Sequence, residues 1–142
     1  MMIFPQPQRM DILEGEVLIE IDPCDDLVSL FRKVRSGVEG IRTVHVPSLE
    51  KEAYRMTVNE DGVLLEASCD EGLFRAVTSL RQILRGGGHV PYLFLEDRPA
   101  LACRGYMLDI SRGKKPKVAT LKTMIDFLAS LKYNEFQLYM EG

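Results

Sequence analysis

Apolar and polar residues alternate along this chain with two different periods, and the switches between them mark out its elements. From Ile12 to Ile21 apolar positions alternate loosely with polar ones, the pattern of a half-buried strand. Asp25 to Ser36 predicts a helix with Leu27, Leu30, Phe31 and Val34 on one face and Gly37 beyond its end. Ile41 to Val46 is short, rich in β-branched residues, and predicts a second strand. Tyr54–Val58 and Val63–Ala67 flank Asn59-Glu60-Asp61-Gly62, a hairpin whose Asp-Gly supplies the positive-φ turn position. Ser68-Cys69-Asp70-Glu71 then reads as a capping box, the Ser68 hydroxyl accepting the N3 amide while Glu71 reaches back. It opens a helix with Leu73, Val77, Leu80 and Leu84 on one face, which Arg85-Gly86-Gly87-Gly88 ends. Phosphate-binding glycine loops precede a helix, where free N–H groups point at the anion. This run follows one, so it is a connector. Pro91 to Leu95 adds one more strand.

The order β-α-β-β-β-α-β describes a small α+β domain over residues 1–98, a mainly antiparallel sheet with two helices on one face. Asp97 to Ala100 is the hinge into a second segment, residues 99–142. There Gly105–Ile110 is a short apolar strand bracketed by Arg104 and Arg112. Lys117 to Lys132 is an amphipathic helix with Leu121, Met124, Ile125, Leu128 and Leu131 at the i, i+3, i+4, i+7 spacing, and Phe136–Met140 is a further strand. Strand, crossover helix and strand form a βαβ unit, the repeating element of parallel α/β folds. Standing alone it is an unfinished structure.

Asp97/Pro99, Arg104-Gly105, Asp109, Ser111-Arg112 and Lys132-Tyr133-Asn134 resemble the barrel entry of glycoside hydrolase family 20, the β-N-acetylhexosaminidases. The stretch from Glu52 to Leu84 also resembles the small α/β domain that precedes the barrel in that family, although similar domains precede other glycosidase barrels. The resemblance implies that residues 99–142 are an incomplete start of a (β/α)8 barrel, which takes about 250 residues, in an exo-acting, retaining hydrolase of terminal N-acetylhexosamine, with the substrate's own 2-acetamido carbonyl as nucleophile and an Asp-Glu pair on a later strand. No catalytic residue is expected in this chain, because that pair is missing: Asp70-Glu71 is a helix start and Glu96-Asp97 a linker. The fragment is therefore expected to be inactive by itself. The alternative is a non-catalytic α+β module that binds or builds.

In a (β/α)8 barrel the site lies at the C-terminal ends of the strands. Arg112 follows its strand at that edge, and the resemblance implies that it holds sugar hydroxyls; on spacing alone it is a solvated arginine beside Lys114, Lys115 and Lys117. Arg104, at the strand's other end, is expected to pair with a carboxylate or cap a helix. Asp109 is expected to be structural, paired with an arginine. The chain departs from the commoner family pattern at Gly113, where His is usual, and at Gln137-Leu138-Tyr139-Met140-Glu141, where a His-x-His-x-x-Asp-Asp pattern is usual. Tyr139 and Glu141 are thus candidate sugar contacts, and the departure marks a divergent branch.

Composition narrows the rest. Apolar residues at 46% and charged ones at 27% over 142 residues describe a chain that can build a core, not a disordered one. A net charge of −3 leaves no basic surplus for nucleic acid. No apolar run reaches the ~20 residues that span a bilayer, and Met1–Pro7 lacks the apolar run of a signal peptide, which points to the cytoplasm unless a leader has been removed. Cys24, Cys69 and Cys103 match neither a disulfide framework nor a metal pair, and are expected as buried free thiols. His45 and His89 have no ligand-spaced neighbours, and no cofactor motif is present. The expected partners are a glycan substrate and, through the uncovered strand edges past Ala100, a second copy of the chain.

Overall fold

The computed structural model describes residues 3–22, 25–84, 87–113 and 115–141. The chain divides into two compact units, Met1–Pro99 and Ala100–Gly142.

In the first unit the elements are β1 (Arg9–Leu18), α1 (Leu27–Ser36), β2 (Ile41–His45), β3 (Tyr54–Asn59), β4 (Gly62–Ala67), α2 (Asp70–Leu84) and β5 (His89–Asp97). The five strands form one sheet in the order β1-β5-β3-β4-β2. All pairings are antiparallel except β2 with β4. This is the α+β architecture that the patterning predicts. The hairpin forms where expected, with β3 and β4 extending to Asn59 and Gly62 so that Glu60-Asp61 is the loop. Gly62 takes φ 111°, and a Cβ there would stand 2.3 Å from the Gly40 carbonyl oxygen, which accepts Val63 N–H at 2.8 Å. Glycine is therefore needed both for the turn and for its contact with the entry to β2.

Period-2 burial divides the sheet into two faces. Tyr54, Met56, Val58, Val63, Leu65, Leu93 and Leu95 are all buried. The helices contribute Leu30, Val34, Ala76, Val77, Leu80 and Ile83 to the core, and Phe31 meets Phe74 edge to face at 5.3 Å. Burial of each such side chain is worth roughly 1.5–3 kcal/mol. The other face stays half-exposed and polar. There Arg55 and Glu96, paired residues on β3 and β5, form an ion pair at 2.8 Å, and the Arg9 guanidinium lies 5.2 Å from the Phe94 ring centre.

Several boundaries differ from expectation for identifiable reasons. The first strand runs from Arg9 to Leu18 rather than Ile12 to Ile21, because its register on β5 shifts between Ile12 and Glu16. At that irregularity Gly15 has φ 115°, and a Cβ would lie 2.4 Å from the Tyr92 ring. Strand β5 begins two residues before Pro91, which is tolerated because β3 pairs only with Leu93–Asp97. The capping box does not form. Helix α2 begins at Asp70, the Ser68 hydroxyl donates to the Glu50 carbonyl at 3.2 Å, and Glu71 pairs with Lys51 at 3.0 Å. The most deeply buried line on α2 includes Gly72, Ala76, Ser79, Leu80 and Ile83, while Leu73 and Leu84 are half-buried. Gly72 sets this rotation: a Cβ there would be 2.6 Å from the Ala53 carbonyl oxygen. The expected helix stop at Arg85-Gly86 lies outside the described residues. Gly87 N–H bonds to the Leu84 carbonyl at 3.0 Å.

The second unit holds β6 (Gly105–Asp109), α3 (Val118–Ser130) and β7 (Glu135–Tyr139), with β6 and β7 parallel. Helix α3 ends in a Schellman arrangement, Lys132 N–H to Ala129 O at 2.9 Å and Tyr133 N–H to Leu128 O at 3.0 Å, with Lys132 itself at φ 64°. Tyr106 and Leu108 alternate along β6 with Met107 and Asp109, and the strand ends one residue short of the expected Ile110. The exposed side chains Met107, Asp109, Gln137 and Tyr139 share one face of the pair. Among the described residues of this unit only Lys132 is buried.

Candidate functional site

The parallel pairing sets Asp109 opposite Tyr139, so the residues two further on, Ser111 and Glu141, leave their strands side by side. Ser111 joins them. Its N–H donates to Asp109 Oδ1 at 2.8 Å, its hydroxyl donates to the Tyr139 carbonyl at 3.4 Å, and Glu141 N–H donates to Ser111 Oγ. Ile110 N–H also bonds the Tyr139 carbonyl, at 3.0 Å. Arg112 stands at this edge with its side chain 71% exposed, Nε 3.4 Å from Asp109 Oδ2 and Nη2 3.3 Å from Glu141 Oε2. Arg112, Asp109 and Glu141 thus meet in space. Tyr139 neighbours them through its backbone carbonyl, and its side chain is exposed. Ser111 is the residue that ties the two strand ends together.

Arg104 serves the opposite end. Its Nε donates to the Lys132 carbonyl at 2.9 Å, just past α3, and Nη1 to the Leu101 carbonyl at 2.6 Å. Arg104 N–H bonds Asn134 Oδ1 at 2.8 Å, Asn134 N–H returns to the Arg104 carbonyl at 3.1 Å, and Asn134 Nδ2 reaches the Ala102 carbonyl at 2.7 Å. The Arg-Gly and Lys-x-Asn motifs are two halves of one clasp at the start of both strands.

The two adjacent carboxylate pairs, Asp70-Glu71 and Glu96-Asp97, are engaged within the first unit. Asp70 pairs with Arg35 at 3.0 Å and Glu71 with Lys51. The Lys51 ammonium is the main reason the Glu71 carboxyl sits below its ordinary value. Asp97 is buried, its Oδ2 accepting the Tyr54 hydroxyl at 3.2 Å and its Oδ1 accepting Gln8 N–H at 3.3 Å. The same Tyr54 hydroxyl lies 2.6 Å from Ser79 Oγ. Burial, and then the Asp97 charge, push the Tyr54 phenol well above its ordinary value.

The cysteines are not buried as expected. Cys69 is half-buried and donates to the Lys51 carbonyl at 2.8 Å; Cys103 is exposed, because its unit encloses almost no interior, and donates to Glu135 at 3.1 Å. That hydrogen bond and the carboxylate charge raise the Cys103 thiol. Cys24 lies outside the described residues. His45 bonds the Ser68 carbonyl at 2.7 Å and His89 pairs with Glu16 at 3.0 Å. Among the described residues no cluster of His, Cys, Asp and Glu could hold a metal ion, and no helix is long and apolar enough to cross a membrane.

Residues 25–98 match the family model described as "Glycosyl hydrolase family 20, domain 2". A β-hexosaminidase of Akkermansia muciniphila is 35% identical over 131 residues, covering 89% of this chain and 26% of that protein. A β-N-acetylhexosaminidase of Cellulomonas fimi is 40% identical over 93 residues, covering 63% of this chain and 18% of that protein. The crystal structure of a β-N-acetylhexosaminidase from Bacteroides fragilis superposes with a TM-score of 0.81 at 28% identity, covering 96% of this chain and 32% of that one. The chain thus spans about a quarter or less of the length of these two curated relatives. The domain match takes in just over half of its residues, and this chain belongs to glycosyl hydrolase family 20.

Proposed function

We propose that the chain is the front of an exo-acting β-N-acetylhexosaminidase: Met1–Pro99 is the domain that precedes the barrel, and Ala100–Gly142 supplies the barrel's first strand, helix and second strand. In this reading Arg112 holds hydroxyls of the terminal N-acetylhexosamine. The observation that carries it is the position of Arg112 at the C-terminal edge of β6, in a βαβ unit that follows directly on the domain match ending at residue 98. A guanidinium suits the task because its planar set of donors can address two neighbouring hydroxyls at once. Hydrolysis then needs a carboxylic acid on the leaving oxygen and an Asp to orient the 2-acetamido nucleophile. Asp70, Glu71, Glu96 and Asp97 are tied into the first unit and serve neither role. The 142 residues alone therefore contribute sugar contacts and no turnover.

The test starts from the gene. The reading frame past Gly142 is expected to encode a later apolar strand ending in Asp-Glu. The 142-residue chain is expected to release no p-nitrophenol from p-nitrophenyl N-acetyl-β-glucosaminide, while the product of the whole frame does. In that product Arg112→Ala is expected to lower kcat/KM by roughly 10- to 150-fold, from hydrogen bonds by a charged donor worth about 1.5–3 kcal/mol. A stop codon after Gly142 would refute the proposal and leave a binding or structural α+β module.

A further inference from the structure

Arg112 is bracketed by two carboxylates, and Ser111 holds the carboxylate of one and the backbone of the other. Asp109 is held through its other oxygen by Ser111 N–H at 2.8 Å, and the Glu141 backbone is held by Ser111 Oγ. From these supports Asp109 Oδ2 reaches to 3.4 Å of Arg112 Nε and Glu141 Oε2 to 3.3 Å of Nη2. Both separations exceed the ~2.7–2.9 Å of a tight charge-assisted bond, so the guanidinium is flanked without being locked. Nε and Nη2 together form one fork by which an arginine takes a carboxylate, sulfate or phosphate in two parallel bonds. In this chain that fork already faces two negative charges.

We infer that Asp109 and Glu141 are specificity-determining residues that make Arg112 a reader of neutral sugar hydroxyls and turn away anionic sugars such as uronates. The inference rests on the Arg112 sugar contact proposed above. An exposed arginine left alone favours anions over hydroxyls, since the full charge of the ligand then contributes. An anionic group seated against Arg112 would lie on the order of 7 Å from each carboxylate. With an effective dielectric of about 40–80 for an exposed site, each repulsion weakens its binding by roughly three- to eightfold. A neutral diol carries no net charge and escapes this penalty. Lys115 and Lys117 follow on the same loop and add positive charge, and they stay constant across the variants below.

The test follows, by NMR, the Arg112 Nε–Hε resonance in the product of the whole reading frame, where the strand edges past Ala100 are expected to be covered. The titrants are N-acetylglucosamine, glucuronate and sodium sulfate at matched ionic strength. Asp109, Arg112 and Glu141 are all exposed, so Glu141→Gln and Asp109→Asn are expected to leave the thermal unfolding of the first unit unchanged. Sulfate and glucuronate are expected to bind Glu141→Gln roughly three- to eightfold more tightly than the native chain, and the double variant more tightly still. N-acetylglucosamine is expected to change less than twofold, and Glu141→Asp, which restores the charge, to recover the rejection of anions. Equal anion affinity in native and variant chains, with a normal N-acetylglucosamine response, would overturn this inference and leave the Arg112 contact standing. No response to N-acetylglucosamine in any variant would overturn the contact and the specificity role together.

Discussion

Tyr54→Phe removes one hydroxyl from the buried junction that anchors the end of β5, and its cost can be worked from the geometry. Tyr54 is 1% exposed, Ser79 0% and Asp97 8%. The phenol joins them at 2.6 Å and 3.2 Å. Phenylalanine preserves the ring, so no cavity opens and the packing term is small. What is lost is a hydrogen bond to a buried carboxylate, worth about 1.5–3 kcal/mol, and one partner of the Ser79 hydroxyl, worth about 1 kcal/mol. A net loss of about 2–3 kcal/mol is expected. The assay is urea denaturation followed by far-UV circular dichroism. With a slope of about 1–3 kcal/mol/M, the midpoint should fall by about 1 M or more at constant slope. Ser79→Ala added to Tyr54→Phe should cost less than it does alone, because both partners of one bond are then gone. A midpoint shift below about 0.2 M would mean that the junction does not stabilise the fold, and full additivity that the Tyr54–Ser79 bond contributes nothing to it.

The same phenol makes stability pH-dependent at the alkaline end. Its folded value lies above the ordinary 10.0, so its contribution is intact below pH 10 and is lost as the unfolded chain alone deprotonates above it. Urea midpoints between pH 10 and 11 should fall less steeply for Tyr54→Phe than for the native chain, and equal slopes would refute this. Gly72→Ala forces a Cβ to 2.6 Å from the Ala53 carbonyl and should cost about 1–3 kcal/mol, read as a thermal shift; an unchanged midpoint would show that the helix can move away from the sheet. In the second unit Met107, Phe127 and Met140 are more than 60% exposed, and the two-stranded sheet has both outer edges open. Sedimentation should show self-association, or hydrogen exchange should show amides past Ala100 opening far more readily than those of β3, β4 and β5. A monodisperse monomer with strong protection throughout would contradict both.

Much of this was legible because local chemistry and tertiary packing agree. Asp61-Gly62 between two alternating runs specified the hairpin, and the single apolar face of α1 with Gly37 after it specified that helix. The capping box failed because both of its side chains have partners that sequence proximity cannot reveal: Glu71 pairs with Lys51, and the Ser68 hydroxyl is turned to the Glu50 carbonyl eighteen residues upstream. The extent of β1 was misjudged because the irregularity at Gly15 breaks the alternation from which strands are read. At the candidate site, motif spacing singled out Arg112, Asp109 and Glu141 one at a time. Their meeting depends on strand register, Asp109 against Tyr139, which no periodicity encodes. Ser111 was missed for the same reason: its value lies in touching both strands.

The clasp of Arg104 and Asn134 carries a consequence for how such a site could be altered. It stands at the start of two strands whose far ends carry Asp109 and Tyr139, four residue steps or about 13 Å away. One amide side chain, with bonds to Arg104 and Ala102, helps to pin how far β7 is threaded past β6. Deleting Glu135, the residue just past the clasp, would slide the rest of the second strand by one position and turn its alternate faces over. Met140 would then arrive where Tyr139 stands, and Glu141 would leave the guanidinium. The charge around Arg112 can thus be rewritten from the opposite end of the strand, with Asp109, Arg112 and Glu141 themselves left as they were.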